Sequence, residues 1–396
     1  MTHPSSAATG FLRAYFRDHR EQMLADARHL VMIESPSDSV EALDELHAYL
    51  VHWVAERLGR PHAIEHARRP GAAPVTSWTY AGTEPLSLAG NGNPERFIAL
   101  LGHYDTVWPL GTTRNWPFTV DGDRVDGPGT YDMKLGLVQI VWAVAALRAS
   151  GLAHPGLRIL FNGDEETGSV DSRAFLEKEC RGARAALVFE GALKEKVKTA
   201  RKGIGHFLVD VFGVEAHAGV EPEKGASAIH ELGTLIPQIL ALADPDAGTT
   251  INIGLIHGGS RVNVTAGHTQ LELEARITNG GEADRVDAAM AALRASDPRI
   301  RIEVRGSWHR PVFERTPPVV ELYRTAETVA RRAGIPIGET AVGGASDGNL
   351  IAAIGVPVLD GLGPIGSGAH ARGEHATVSG MLERAELAAL LISALA

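Results

Sequence analysis

A single cysteine, Cys180, occurs in 396 residues, so the chain can form no internal disulfide and cannot by itself build a cysteine-based zinc site. That scarcity predicts a reducing compartment. Long apolar runs are missing too: the most apolar stretches, 137–147 and 387–396, are about half the roughly 20 residues that a bilayer span requires. The opening MTHPSSAATGFLRAYFRDHREQM has no basic segment leading into an apolar core and meets Arg13, Arg17, Asp18 and Arg20 early, unlike a secretory signal. Nor is there an excess of positive charge. With 38 Lys and Arg against 48 Asp and Glu, the net charge is −10, a poor match for a phosphate-neutralising surface. The expectation is a soluble, cytoplasmic protein with neither nucleic acid nor membrane among its partners.

The chain has ample apolar material, since 44% of its residues are hydrophobic, and a chain of this length predicts about two to three domains. Its first part alternates helical periodicity, at 11–32, 39–58 and 134–150, with short apolar runs at 97–101, 157–161 and 185–189. Between the second helix and the first apolar run lies a polar stretch that reads as irregular. Short buried runs separated by helices predict an α/β fold with a mostly parallel sheet. From about Gly203 to Pro311 the pattern changes to alternation, with Leu271, Leu273, Ala275 and Ile277 against Gln270, Glu272, Glu274 and Arg276. The order there is strand 205–214, helix 226–242, strands 250–256 and 268–277, helix 282–296 and strand 299–304, the βαββαβ order of a ferredoxin-like domain. The predicted layout is a catalytic domain in two segments, 1–202 and 312–396, with an α+β domain inserted at 203–311.

Three apolar runs of the first part end in residues able to bind metal: His103 and Asp105, then Asp164, Glu165 and Glu166, then Glu190. Ligands gather beyond the carboxyl ends of strands in open α/β sheets, so these endings predict a common rim. Asp132 in DGPGTYDMKLG and His370 in GSGAHARGEHATV extend the set to two imidazoles and several carboxylates. Each is unremarkable alone, because DEE by itself reads as a solvated acidic turn and a lone histidine as a core or surface residue. Together they suit two divalent cations, whose charge three carboxylates and one hydroxide would balance. Mixed nitrogen and oxygen donors favour Zn²⁺, with Co²⁺ or Mn²⁺ as options.

LGHYDTV, DGPGTYDMK, FNGDEETGS, FEGA, EAHAG and GAHARGE resemble, in order and spacing, the co-catalytic zinc aminoacylase and carboxypeptidase family, the carboxypeptidase G type most of all. The resemblance implies two Zn²⁺ per chain: Asp132 bridging them, His103 and Glu190 on one, Glu166 and His370 on the other. Glu374, four residues after His370, favours that histidine over His375. Glu165 matches the general base that moves a proton from the metal-activated water to the leaving nitrogen, and Asp105 matches the carboxylate that orients His103. The inserted domain resembles a lid and dimerisation domain, which implies a homodimer in which His217 of EAHAG donates to the developing oxyanion across subunits. Asn263, Arg276, Arg310 and the 343–349 loop with Gly344 match substrate-binding positions, the arginines on a substrate carboxylate. The activity implied is metal-dependent release of a carboxylate-bearing amino acid, glutamate-like first, from an N-acyl or peptidyl group. Deacylation of an N-acyl amino acid or hydrolysis of a non-peptide amide is the alternative within the family. A non-catalytic dimeric binding protein is the alternative outside it, disfavoured because none of the ligand positions nor the base is substituted.

Overall fold

Apolar side chains cover the whole circumference of the helix Leu135–Ser150, and its residues from Leu135 to Val144 are all buried; such a helix belongs at the centre of a core. Gly151, left-handed at φ 66°, ends it. The computed structural model describes residues 6–83 and 97–396. Among them, Thr130–Ser150 is the one helical stretch long and apolar enough to cross a membrane, and 78% of its most apolar window is buried inside the protein, as a core helix requires. The C-terminal helix Val378–Ala394 packs against it.

The described residues separate into two compact units, one drawn from 6–83, 97–200, 315–341 and 346–396, the other from 201–314 and 342–345. In the first unit, a six-stranded sheet runs Ala63–Ala67, Val75–Tyr80, Gly156–Asn162, Phe97–His103, Ala185–Val188 and Val358–Leu359 in spatial order. The last four are mutually parallel and the first two are antiparallel additions at one edge. Those two strands lie in the stretch that the sequence pattern reads as irregular, of which 84–96 falls outside the described residues. Buried polar side chains hide Val75–Tyr80 from a hydrophobic pattern: Thr76 is fully buried because His47 Nε2 and His66 Nδ1 lie 2.7 and 2.8 Å from its hydroxyl. The helical pattern at 11–32 is two helices, Ser6–Asp18 and Arg20–Met32, interrupted at His19.

A second sheet of the same unit is made of short strands, among them Arg124–Asp126, Ala192–Leu193, Ile365–Ser367 and His375–Thr377. His375 pairs with Asp126 antiparallel, and Ile365 pairs with Ala192 parallel. The loop after Asp126 and the loop before His375 are thereby brought to one end of this sheet.

The second unit is a four-stranded antiparallel sheet in the order Thr250–Gly258, His268–Ile277, Gly203–Phe212, Arg301–Arg310, with helices Ala228–Leu240 and Gly280–Ala291. Phe207, Val209, Val211, Leu271, Leu273 and Ala275 pack with Leu232, Leu235, Ile239, Val286 and Met290, as the alternation requires. The last strand runs to Arg310 rather than ending at 304. Arg305, Gly306 and Ser307 break the apolar alternation there, yet the ladder continues because Gly306 faces the Phe207 ring, where a Cβ would sit 2.2 Å from a ring carbon.

Candidate metal centre

Register places the candidate ligands before any side chain is considered. His103 pairs with Asn162 and Leu101 with Val188, so the chain leaving three parallel strands delivers His103, the 164–166 turn and Glu190 side by side at their carboxyl ends. Gly136 makes the close packing there possible. A Cβ on it would lie 2.2 Å from the carbonyl oxygen of Phe189, the residue before Glu190. Asp132 comes from the loop after Arg124–Asp126 and His370 from the loop before His375–Thr377, the two that the small sheet aligns.

The side chains converge. His103 Nε2 lies 3.3 Å from Asp132 Oδ1 and 3.5 Å from Glu190 Oε1. His370 Nε2 lies 3.4 Å from Asp132 Oδ2 and 3.0 Å from Glu166 Oε2. The Asp132 carboxylate thus stands between two imidazoles, one oxygen toward each. Single donor atoms of His103, Asp132 and Glu166, and likewise of His103, Glu165 and Glu190, all fall within 4.8 Å of one another, so Glu165 stands at the same cluster.

Asp105, fully buried, organises this rim from beneath. Its carbonyl oxygen is 3.1 Å and its Oδ1 3.3 Å from His103 Nδ1. Two acceptors there keep a proton on Nδ1, so Nε2, which faces Asp132 and Glu190, is the ring atom open to a metal. The same carboxylate accepts the Glu165 and Glu166 backbone N–H groups at 3.2 and 3.1 Å and the Ser37 hydroxyl at 2.8 Å, so one aspartate fixes both His103 and the turn carrying two glutamates. Ser37 is 68 residues away in the chain, and no local pattern announces it.

Glu374 does the equivalent for Asp132. Fully buried, it accepts the backbone N–H groups of Gly129, Tyr131 and Asp132 at 3.0, 2.8 and 3.0 Å and the Trp108 indole N–H at 2.8 Å. Sequence spacing marks Glu374 only as a neighbour of His370; its four donors are visible in three dimensions alone. On the far side of the Asp132 turn, the buried Lys134 ammonium donates to the Leu30 and Ile33 carbonyls at 2.9 and 2.8 Å. Ser169, at the end of the 164–169 turn, donates to Asp347, a further anchor that pattern reasoning does not provide.

The electrostatics test whether cations suit this cluster. Burial disfavours a charged His103, but its hydrogen bonds to Asp105, Asp132 and Glu190 outweigh burial and raise its pKa well above the ordinary value. His370 is pushed up to about 10 by hydrogen bonds to Asp132 and Glu166. Burial raises Glu166 to about 7, with the charges of Asp132 and Asp105 adding to it. Burial also opposes ionisation of Asp132, yet the two histidines hold its pKa far below the carboxylate range. Acidic oxygens therefore draw positive charge onto both imidazoles. Glu166 Oε1, moreover, is buried without a hydrogen-bond donor, an arrangement that costs free energy unless a cation or donor meets it. Divalent ions replacing the imidazolium protons would meet both demands, and mixed nitrogen and oxygen donors fit Zn²⁺, Co²⁺ or Mn²⁺.

The remaining candidates lie in the second unit. The Ala218 N–H donates to the Asn263 carbonyl at 3.0 Å and His217 bridges Val264, so the His217 and Asn263 segments are adjacent. Arg276 is held by Glu274 at 2.7 Å and donates to the Gly343 carbonyl at 2.7 Å, while Arg201 donates to the Gly344 and Ala345 carbonyls at 3.1 Å. Arg276 and Gly344 thus share one corner, and space beside the Gly344 Cα is open. Arg310 is buried at the end of its strand. The 343–349 loop is divided, since Ser346–Asn349 belong to the first unit, where Ser346 caps the helix Asp347–Ala353.

Residues 99–394 match the model of peptidase family M20/M25/M40. The chain is 31% identical over 311 residues to carboxypeptidase G2 of Pseudomonas sp. (strain RS-16), covering 76% of this chain and 74% of that protein. It is 29% identical over 314 residues to succinyl-diaminopimelate desuccinylase of Xanthomonas campestris pv. campestris (strain B100), covering 73% and 81%. A dinuclear metal-binding peptidase of the M20 family from Bacillus subtilis superposes with a TM-score of 0.67 at 15% identity, covering 96% of this chain and 98% of that one. Taken with the mixed α/β fold, these matches establish that the chain belongs to peptidase family M20/M25/M40, as a metal-dependent hydrolase.

Proposed function

We propose that the chain is a two-metal amide hydrolase in which His103 and Glu190 hold one ion, Glu166 and His370 the other, and Asp132 lies between them. The observation that carries this reading is the Asp132 carboxylate, whose two oxygens stand 3.3 and 3.4 Å from the Nε2 atoms of two different histidines. Zn²⁺ is the proposed metal on its donor set. Bound there, the metals would polarise the scissile carbonyl and lower the pKa of water. The chain's own chemical step falls to Glu165, which accepts the proton of the attacking water and passes it to the leaving nitrogen as the C–N bond breaks. Asp105 keeps the His103 proton on Nδ1 and holds the Glu165 backbone in place.

The leading substrate is an N-acyl or peptidyl amino acid with a free carboxylate, glutamate-like by similarity to carboxypeptidase G2. His217 is assigned to the developing oxyanion, and Asn263, Arg276, Arg310 and Gly344 to substrate binding, a reading supported by the juxtapositions of their segments within the second unit. A homodimer through this unit is supported by its edge strand Thr250–Gly258, which is paired on one side and exposes Leu255 and Ile256 by about half (52% and 50%). Similarity to a desuccinylase makes deacylation of an amine-bearing acid the second reading.

The test pairs metal analysis with hydrolysis of N-acyl glutamates, N-acetyl amino acids and N-succinyl amines, before and after chelation. Two equivalents of metal and chelator-sensitive cleavage are expected, with acyl-glutamates fastest; faster N-succinyl cleavage selects the second reading. Glu165→Gln should keep both metals and lose turnover on the order of 100-fold or more. Full turnover by that variant rejects Glu165 as the base.

A further inference from the structure

The loop that carries His370 has little regular structure to hold it. His370 itself is left-handed at φ 60°, between Gly368 at φ 87° and Gly373 at φ 106°, and its side chain is 55% exposed. A non-glycine residue in this region persists only where its surroundings fix it. Two contacts within the first unit do so. The Arg372 guanidinium lies 5.4 Å from the centre of the Trp108 ring and 5.6 Å from that of Trp116, within cation–π range of both. The two indoles meet edge to face at 4.9 Å, and the Trp108 N–H donates to Glu374 at 2.8 Å. Trp108 therefore grips the His370 loop at residues 372 and 374. It sits five positions after His103 on the segment that continues from Asp105, so the two histidines are braced against each other through one indole.

We propose that Arg372 is a positioning residue: stacked on Trp108 and Trp116, it fixes the loop so that His370 meets the ion it holds together with Glu166. The proposal rests on the ligand assignment above and concerns binding of one ion of the two. Arg372 does not reach the reacting atoms. Its influence passes through the two peptide units that join it to His370, as outer partners of metal ligands act, where loss typically weakens binding 10- to 100-fold.

The experiment titrates Co²⁺ into chelator-treated protein, following visible absorption and bound equivalents, for wild type, Arg372→Met, Arg372→Lys, Trp116→Leu and His370→Ala. Arg372→Met should bind one equivalent as wild type does and the other about tenfold more weakly, with the thermal midpoint of metal-free protein unchanged. Arg372→Lys, which keeps a cation over the rings, should recover most of the loss, and Trp116→Leu should reproduce part of it. Wild-type affinity for both equivalents in Arg372→Met overturns the proposal. So does weakening of both equivalents together with a lowered midpoint, which is general loosening. His370→Ala separates the two levels: if it still binds two equivalents with wild-type affinity, the ligand assignment itself fails and the proposal with it, whereas loss of one equivalent there beside an unaffected Arg372→Met rejects the proposal alone.

Discussion

Replacing Glu374 by glutamine changes one oxygen to an NH₂ group and leaves the shape intact, so its effect follows from hydrogen-bond arithmetic. Oε1 accepts from Tyr131 N–H and Asp132 N–H, and Oε2 from Gly129 N–H and Trp108 Nε1–H. A glutamine oxygen can serve either pair. Its amide nitrogen then faces the other two donors, and neither can find an acceptor at this fully buried position. Two unpaired buried donors at about 1–3 kcal/mol each give a loss of about 2–6 kcal/mol, a large part of the ~5–15 kcal/mol that stabilises ordinary domains. Denaturant unfolding of chelator-treated wild type and Glu374→Gln, followed by intrinsic fluorescence, measures it. Because the turn bearing Asp132 is the part released, Co²⁺ affinity should fall as well, on the order of 10- to 100-fold. A stability loss below about 1 kcal/mol with unaltered Co²⁺ binding would show that water or backbone movement satisfies these donors and would refute the reasoning.

Asp105→Asn keeps an oxygen for His103 and the Glu165 N–H but turns an NH₂ toward the Glu166 N–H and Ser37; metal affinity should drop about 10-fold or more, read by equilibrium dialysis, with Ser37→Ala giving a smaller effect. Gly136→Ala pushes a methyl against the Phe189 carbonyl at 2.2 Å and should cost roughly 1–3 kcal/mol as overpacking, measured by denaturation, whereas Gly10→Ala, with open space beside its Cα, should leave stability nearly unchanged. His47, flanked by His66, Asp44 and Arg68, has its pKa lowered by burial from 6.5 to about 4. The unfolded chain therefore binds a proton that the folded protein refuses between those values, and stability should fall as pH drops from about 6.5 to about 4, then level off. The contribution is on the order of 1–3 kcal/mol, reduced by the partial exposure of the ring. His47→Gln should flatten that part of the stability–pH curve, and an unchanged curve removes His47 as its cause.

The parallel core and the inserted domain were legible because burial writes itself into sequence as apolar runs and alternation: the strand 268–277 is found at those residues, and Leu135–Ser150 differs from the expected helix by one residue. The strand Val75–Tyr80 was not legible, since Thr76 and Ser77 are buried polar residues that break the apolar pattern, and the His47 and His66 rings that meet the Thr76 hydroxyl come from other elements. At the candidate site, residues at strand ends announce themselves by chemistry, and His103, Asp132, Glu166, Glu190 and His370 do come together. Ser37, Trp108 and the four-donor role of Glu374 carry no such mark: Ser37 and Trp108 act on side chains far along the chain, and Glu374 acts mostly on backbone N–H groups that every residue possesses. Arg276 shows the converse. Its charge and face are evident in the pattern, but the Glu274 and Gly343 contacts that occupy much of its guanidinium are visible only in the fold.

The anchoring carboxylates also explain how a crowded acidic cluster can exist in a folded chain. Asp105 and Glu374 each accept backbone N–H groups, and hydrogen bonds to an ionised acceptor are roughly twice as strong as neutral ones. Their negative charge is thus spread over peptide dipoles rather than left to repel Asp132, Glu166 and Glu190 without compensation. The same bonds fix the backbone on both sides of the cluster, at 165–166 and at 129–132, before any ion arrives. A preorganised cluster of this kind loses little conformational entropy on binding a metal, so its affinity should depend on the two anchors almost as strongly as on the ligands. Removing an anchor should therefore weaken metal binding without changing how many ions are bound at saturation, while removing a ligand should change that number.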